Sequence, residues 1–153
     1  MRNTADSLLQ ESERLRILPL DVSDIRSIEN IVALAGPIDV LVNNAGIGVM
    51  GALEGTTTDT IHDVFAVNVL GAINLTKAFL PLFRAQHSGV IINISSAITL
   101  AALPLLSVYT ASKAAINAFT ESLAIELAQF NVRVNLVLPG RAPATRFGEN
   151  AKS

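Results

Sequence analysis

Short runs of β-branched and aliphatic residues, separated by stretches too long for hairpins, constrain this chain more than any other feature. They are residues 38–42 (IDVLV), 90–94 (VIINI) and 132–138 (VRVNLVL), with a shorter candidate at residues 16–20 (RILPL). The segments between them have helical spacing. Residues 24–35 put Ile25, Ile28, Ile31 and Val32 on one side, and Gly36-Pro37 stops them. Thr57 or Thr58 can cap a helix over residues 59–86, which Pro81 is expected to bend. A third helix is expected over residues 107–129. Strand–helix–strand alternation with apolar strands predicts one α/β domain over residues 1–153, a parallel sheet with helices on both faces. Such sheets place ligands at the carboxyl ends of their strands. The residues there are Asp21, then Asn43-Asn44-Ala45-Gly46, then Ser95-Ser96, then Pro139-Gly140.

Composition narrows the function classes. Hydrophobic residues make up 50% of the 153, which excludes a disordered chain. A formal net charge of −2 advertises neither a nucleic-acid nor an anionic-membrane partner. There is no cysteine, hence no disulfide, thiolate zinc site or cysteine nucleophile. His62 and His87 are too far apart to form a local metal motif. Residues 85–112 lack Asp, Glu, Lys and Arg, but Gly89, Asn93, Ser95, Ser96 and Pro104 interrupt them, so a strand, a loop and a helix start are expected rather than a membrane span. No apolar leader opens the chain, and a cytoplasmic protein is expected.

Residues 46–51 (GIGVMG) match G-x-G-x-x-G after a strand. A phosphate loop also needs a helix opening at its third glycine, and residues 53–58 (LEGTTT) are a poor helix start. A strand-to-helix turn is the favoured reading. Tyr109 and Lys113 are sharper: at i and i+4 they share one helix face. Tyr109 is the single tyrosine, it lies near a helix start, and Ser96 lies at the preceding strand end. A solvated surface pair is the competing reading. The chemistry these residues suit is proton transfer coupled to hydride transfer. Bringing a phenol from a pKa of about 10 to about 7 takes roughly 4 kcal/mol of phenolate stabilisation. An ammonium about 4 Å away supplies ~1 kcal/mol in water and ~4 kcal/mol at an effective dielectric near 20, so the pair needs a partly dry cleft. Ser96 would hold the substrate oxygen. Asn68 lies in an apolar helical stretch, either as a satisfied core amide or as a functional one.

Together Asn43-Asn44-Ala45-Gly46, Asn68 in N-V-x-G, Ser96, Tyr109-Thr110-Ala111-Ser112-Lys113 and Asn135-x-x-x-Pro139-Gly140 resemble the short-chain dehydrogenase/reductase family, in order and in spacing. The resemblance implies an NAD(P)-dependent oxidoreductase that interconverts a secondary alcohol and a carbonyl compound. It implies that Tyr109 is the acid/base and that Ser96 orients the substrate oxygen. Lys113 would bind the nicotinamide ribose and lower the tyrosine pKa, and Asn68 would anchor a water that relays protons to Lys113. Asp21 and Val22 would meet the adenine. Asn43, Ala45 and Gly46 would line the adenosine ribose and phosphates, with Asn44 tying strands together. Pro139 and Gly140 would flank the nicotinamide, and Arg2 would suit the 2′-phosphate of NADP, with NAD as the other option.

The family's Thr-Gly-x-x-x-Gly-x-Gly loop has no counterpart, and Thr145 stands one position later than the commoner spacing after Pro-Gly. By resemblance the sheet is a partial doubly wound, Rossmann-like one lacking its first two strands. Residues 16–20 would then either stand roughly 14 Å from residues 38–42 or pair with them directly. Weak cofactor binding and slow or absent turnover are expected. The alternative is a non-catalytic fragment that associates through helices 59–86 and 107–129, the second carrying Ala111, Ala114, Ala115, Ala118 and Ser122 on one side. A homo-oligomer through those helices is expected in either case. Another nucleotide-dependent enzyme on a similar sheet, such as a methyltransferase, leaves the Ser96–Tyr109–Lys113 set unexplained.

Overall fold

The computed structural model describes residues 11–140. In chain order these form α1 (Ile25–Ala35), β1 (Val40–Asn43), α2 (Thr58–Phe65), a π-helical turn (Ala66–Gly71), α3 (Ala72–Gln86), β2 (Gly89–Ile94), α4 (Ser107–Leu127) and β3 (Val132–Val137). The sheet is parallel in the order β1-β2-β3, with Val42 beside Ile92 and Ile92 beside Asn135. Asp24 caps α1 through the N–H of Arg26, and Thr57 caps α2 through that of Thr60, as the sequence signals require.

Alternation sorts the strand residues into two rows. Leu41, Ile91, Val132 and Val134 face Ile28 of α1, Leu75, Phe79 and Phe83 of α3, and Leu123 and Leu127 of α4. Gly89 lets the sheet meet α3 closely, since a Cβ there would fall 2.2 Å from the Phe83 ring. The other row holds Val40, Val42, Val90, Ile92, Ile94 and Val137, and among the described residues no helix covers it. Val40 and Val42 are 50% and 49% exposed. Helices on both faces were expected, and α1, α3 and α4 share one face. An apolar run reports that both sides of a strand suit burial, not which elements lie over them.

Residues 16–20 form no strand; the described segment before α1 has only a lone antiparallel bridge between Ser12 and Leu15. β1 pairs with β2 alone. The Ile17 N–H is taken by Glu11 Oε1 at 3.0 Å rather than by a strand, and Leu20 turns its side chain into the core.

The expected 59–86 helix is interrupted by the π turn, which Pro81 does not mark. By length and composition, Thr58–Gln86 could cross a membrane. Here it lies against the sheet and α4, with Val64, Leu75, Phe79 and Phe83 buried. Gly71 ends the π turn under Val22, where a Cβ would come within 2.7 Å of the valine methyl.

Candidate active site

Ser96, Tyr109 and Lys113 meet at the carboxyl end of β2. Ser96 leaves the strand as the cap of a short 3-10 turn (Ala97–Leu100), its hydroxyl accepting the Ile98 N–H at 3.3 Å. The Ala97 N–H donates to the Pro139 carbonyl at 2.9 Å, so the end of β3 braces this loop. The chain enters α4 through Leu105 at φ 65°, in the left-handed region an aliphatic residue avoids; its carbonyl accepts the Gly51 N–H at 2.9 Å. That entry puts Tyr109 in the first turns of α4, its ring among Val49, Val64 and Val108.

The Ser96 side chain is the hydrogen-bonding group that bears on the Tyr109 phenol. Burial pushes the phenol above its usual range, and the Ser96 bond opposes that rise. Lys113 is 4% exposed and donates from Nζ to the Ile94 carbonyl at 2.9 Å. Its ammonium lies 5.9 Å from the centre of the Tyr109 ring. Burial pulls its pKa below the usual lysine range. The protein surroundings by themselves thus hold Tyr109 protonated, whereas the sequence suggested a phenol lowered by Lys113.

Asn68 is 2% exposed, and its amide is in use. Oδ1 accepts the Ile47 N–H at 2.8 Å, while Nδ2 donates to the Ile47 carbonyl at 2.9 Å and to Ser112 Oγ at 3.0 Å. Ser112 in turn donates to the Tyr109 carbonyl at 2.7 Å. The π turn therefore ties the strand-end loop after β1 to the first turns of α4. A Cβ on Gly46 would lie 3.4 Å from both Asn68 Oδ1 and Lys113 Nζ, so these two groups face each other beside Gly46.

The strand tie expected of Asn44 is made by Asn43. Asn43 shares parity with Leu41 and points into the covered face, where Nδ2 donates to Asn93 Oδ1 and to Thr76 Oγ1, both at 2.8 Å. Asn43 is the strand tie, and Asn44 and Ala45 are exposed. Asn43, Asn44 and Ala45 line a shallow cavity of about 130 Å³ with Leu20, Val22 and Val42. Asp21 borders the same loop. Its N–H is held by Ser27 Oγ at 2.9 Å, and its carboxylate accepts the Ser23 hydroxyl at 2.6 Å and the Ser23 N–H at 3.0 Å, which lower its pKa. Residues 46–51 run as an irregular turn before α2, as favoured. Pro139 and Gly140 are exposed beside the Ser96 loop, and Arg2 lies outside the described residues.

Residues not singled out from the sequence complete the corner. Asn117, one turn beyond Lys113, accepts from Ser95 Oγ at 2.5 Å and donates to Thr99 Oγ1 at 3.1 Å. Asn117 carried a usable signal: it continues the i, i+4 row of Tyr109 and Lys113. Ser112 carried none beyond its place between them.

A dinucleotide fits this arrangement at its ends. The buried Lys113, beside Gly46 at the strand ends, suits a nicotinamide ribose, and the Leu20–Val22–Val42 cavity suits an adenine edge. Among the described residues no glycine-rich turn opens a helix toward a pyrophosphate.

The family model for short chain dehydrogenases matches residues 1–153. An uncharacterized oxidoreductase of Schizosaccharomyces pombe is 40% identical over 144 residues, covering 92% of this chain and 61% of the relative. Human retinol dehydrogenase 8 is 43% identical over 129 residues, covering 84% and 42%. ElxO with NADP bound superposes with a TM-score of 0.74 at 34% identity, over 79% of this chain and 51% of that one. The 3-ketoacyl-(acyl-carrier-protein) reductase of Brucella melitensis, complexed with NADH, gives 0.77 at 32%, over 79% and 54%. The chain thus spans 40–61% of the curated relatives compared with it, and its structural neighbours bind NADP or NAD. With its parallel α/β sheet and the Ser96–Tyr109–Lys113 corner, the chain belongs to the short-chain dehydrogenase family of oxidoreductases.

Proposed function

We propose that this chain carries the acid/base half of an NAD(P)-dependent oxidoreductase that interconverts a secondary alcohol and a small carbonyl compound. The convergence of Ser96, at the end of β2, with Tyr109 and Lys113, on one row of α4, carries this reading, because it brings two hydroxyls and an ammonium to one corner at the strand ends. Gly46, Lys113 and Pro139 would hold the nicotinamide end of the dinucleotide, which would supply the hydride. Ser96 orients the substrate oxygen, and Tyr109, held protonated by burial, delivers its proton there in the reductive direction. Lys113 binds the ribose hydroxyls and offers a positive charge to the phenolate that remains. A water beside Gly46 joins Lys113 to the second lone pair of Asn68 Oδ1 and refills the proton. Asp21, Val22 and Ala45 border the adenine and its ribose. Asn43 contributes by fixing the loop rather than by touching the cofactor through its committed amide.

Cofactor grip is weak in this span, since the described residues offer no phosphate cradle. NADP over NAD rests on Arg2, and the small net charge of −2 fits a cytoplasmic enzyme of small molecules rather than a partner of nucleic acid or membrane. The test is reduction of a panel of ketones and aldehydes with NADPH and with NADH. Slow turnover is expected, with Tyr109→Phe lowering it by about 100- to 10,000-fold. Turnover that survives Tyr109→Phe unchanged would overturn the assignment.

A second reading has its own observation. Ala111, Ala114, Ala118 and Ser122 are exposed along α4 rather than packed on the sheet, and Leu70 and Ile125 are 54% and 81% exposed nearby on the helical layer. That side suits helix-mediated self-association, catalytic or not. Sedimentation of the chain with and without Ala118→Glu separates the cases: dimers that the charge dissolves support it, and monomers throughout reject it.

A further inference from the structure

The acid/base reading of Tyr109 leaves open what fixes Ser96, which sits on a loop. The Ser95 N–H donates to the Val137 carbonyl and the Ala97 N–H to the Pro139 carbonyl, each at 2.9 Å, so the backbone on either side of Ser96 follows β3. The side chains around it lead elsewhere. The Ser95 hydroxyl lies 2.5 Å from Asn117 Oδ1 and 3.1 Å from the Lys113 carbonyl. On the other side, Asn117 Nδ2 donates to Thr99 Oγ1 at 3.1 Å, and the Thr99 hydroxyl donates to the Ser96 carbonyl at 2.9 Å. Both ends of one amide are thus committed to the two residues that bracket the Ser96 turn.

We propose that Asn117 is a positioning residue: its side-chain amide clamps the Ser96 turn onto the same helical row that carries Tyr109 and Lys113, and so sets where the two hydroxyls meet. The geometry has a mechanical logic. Tyr109, Lys113 and Asn117 follow one another at intervals of one helical turn, so one rigid element holds the phenol, the ammonium and the clamp in fixed proportion. An amide suits the task because it donates at one end and accepts at the other, matching a hydroxyl that gives its proton and a hydroxyl that receives one. Asn117 is only half-buried, and water could have satisfied its amide without this arrangement.

This inference rests on the pairing of Ser96 with Tyr109, and its test needs no turnover. The chain has one tyrosine and no tryptophan, so phenolate absorbance, and the ζ-carbon resonance of isotope-labelled tyrosine, report Tyr109 alone. The hydrogen bond from Ser96 opposes the rise that burial causes, so Ser96→Ala moves the phenol's titration midpoint upward. Asn117→Ala is expected to move it in the same direction, and the Ser96→Ala/Asn117→Ala double variant no further than Ser96→Ala alone. Thr99→Val cuts the other arm of the clamp and should reproduce the shift, while Thr99→Ser restores the wild-type midpoint. Circular dichroism checks that each variant is folded, and Thr99→Val carries the test if Asn117→Ala does not fold. Wild-type titration in the folded Asn117→Ala or Thr99→Val variants overturns the role of Asn117, with the Ser96–Tyr109 pairing left standing. A wild-type midpoint in Ser96→Ala overturns that pairing and this inference with it.

Discussion

At the corner where β2, α4 and the π turn meet, side-chain hydrogen bonds join residues 18 to 44 positions apart: Asn117 to Thr99, Lys113 to the Ile94 carbonyl, Asn68 to the Ile47 backbone and to Ser112. In residues 11–23, apart from an exposed 3.3 Å contact of Arg16 with the Leu34 carbonyl, such bonds reach only two to six positions along the chain. Both regions border the candidate cofactor site. The proton-handling end is held by the tertiary fold, so it is as stable as the core beneath it. The adenine end is held by local turns, plus the packing of Leu20 and the seat of Val22 over Gly71. Its geometry can therefore loosen without unfolding the rest.

Three substitutions sharpen or break that contrast. Asn68→Ala leaves the Ile47 N–H and carbonyl without their partner and frees Ser112; a loss of about 2–3 kcal/mol is expected, read from denaturant unfolding. A loss no larger than that of a surface substitution would mean the corner is not fastened from the π turn. Lys113→Met removes an ammonium buried without a carboxylate and is expected to raise stability by about 0.5–2 kcal/mol while turnover falls, the sign typical of a functional group kept at a structural cost. Its melting temperature compared with wild type decides this, and a lowered value would show that the bond to the Ile94 carbonyl outweighs desolvation.

The smallest effect belongs to Asp21. Its folded pKa is depressed by the Ser23 hydroxyl and N–H, so its contribution is present above the ordinary aspartate range near 4 and is lost as pH falls through the folded value. Ser23→Ala is expected to raise the Asp21 midpoint in a carboxyl-resonance titration and to change stability at neutral pH by no more than about 0.5 kcal/mol. A larger change would show that this turn is coupled to the core.

Most elements were legible in the sequence because their signals are local. Asp24 and Thr57 cap where an acceptor side chain precedes a periodic run, Gly36 ends α1 at φ 70°, and the β-branched runs became β1, β2 and β3. Ser96, Tyr109 and Lys113 were legible because a helix row and a strand end are readable from spacing. The misses concern relations between elements. The roles of Asn43 and Asn44 came from the resemblance and not from alternation, which puts Asn43, two residues after Leu41, on the covered face. The 16–20 strand failed because a strand exists only with a partner. The π turn was hidden because the contacts made from it, the Asn68 amide on the Ile47 backbone, join residues 21 positions apart.

The all-parallel order of the sheet also sets a timetable. The Asn43 amide meets its β2 partner, Asn93, 50 positions later, and among the described residues β1 pairs with β2 alone. At about 5–20 residues per second of synthesis, β1 waits roughly 3–10 s on the ribosome before its ladder with β2 can close. During that interval the apolar strand has only local company, and α2, the π turn and α3 all emerge before β2 does. Ile28 of α1, made before β1, offers Leu41 its earliest shelter, and α3 adds to it before β2 arrives.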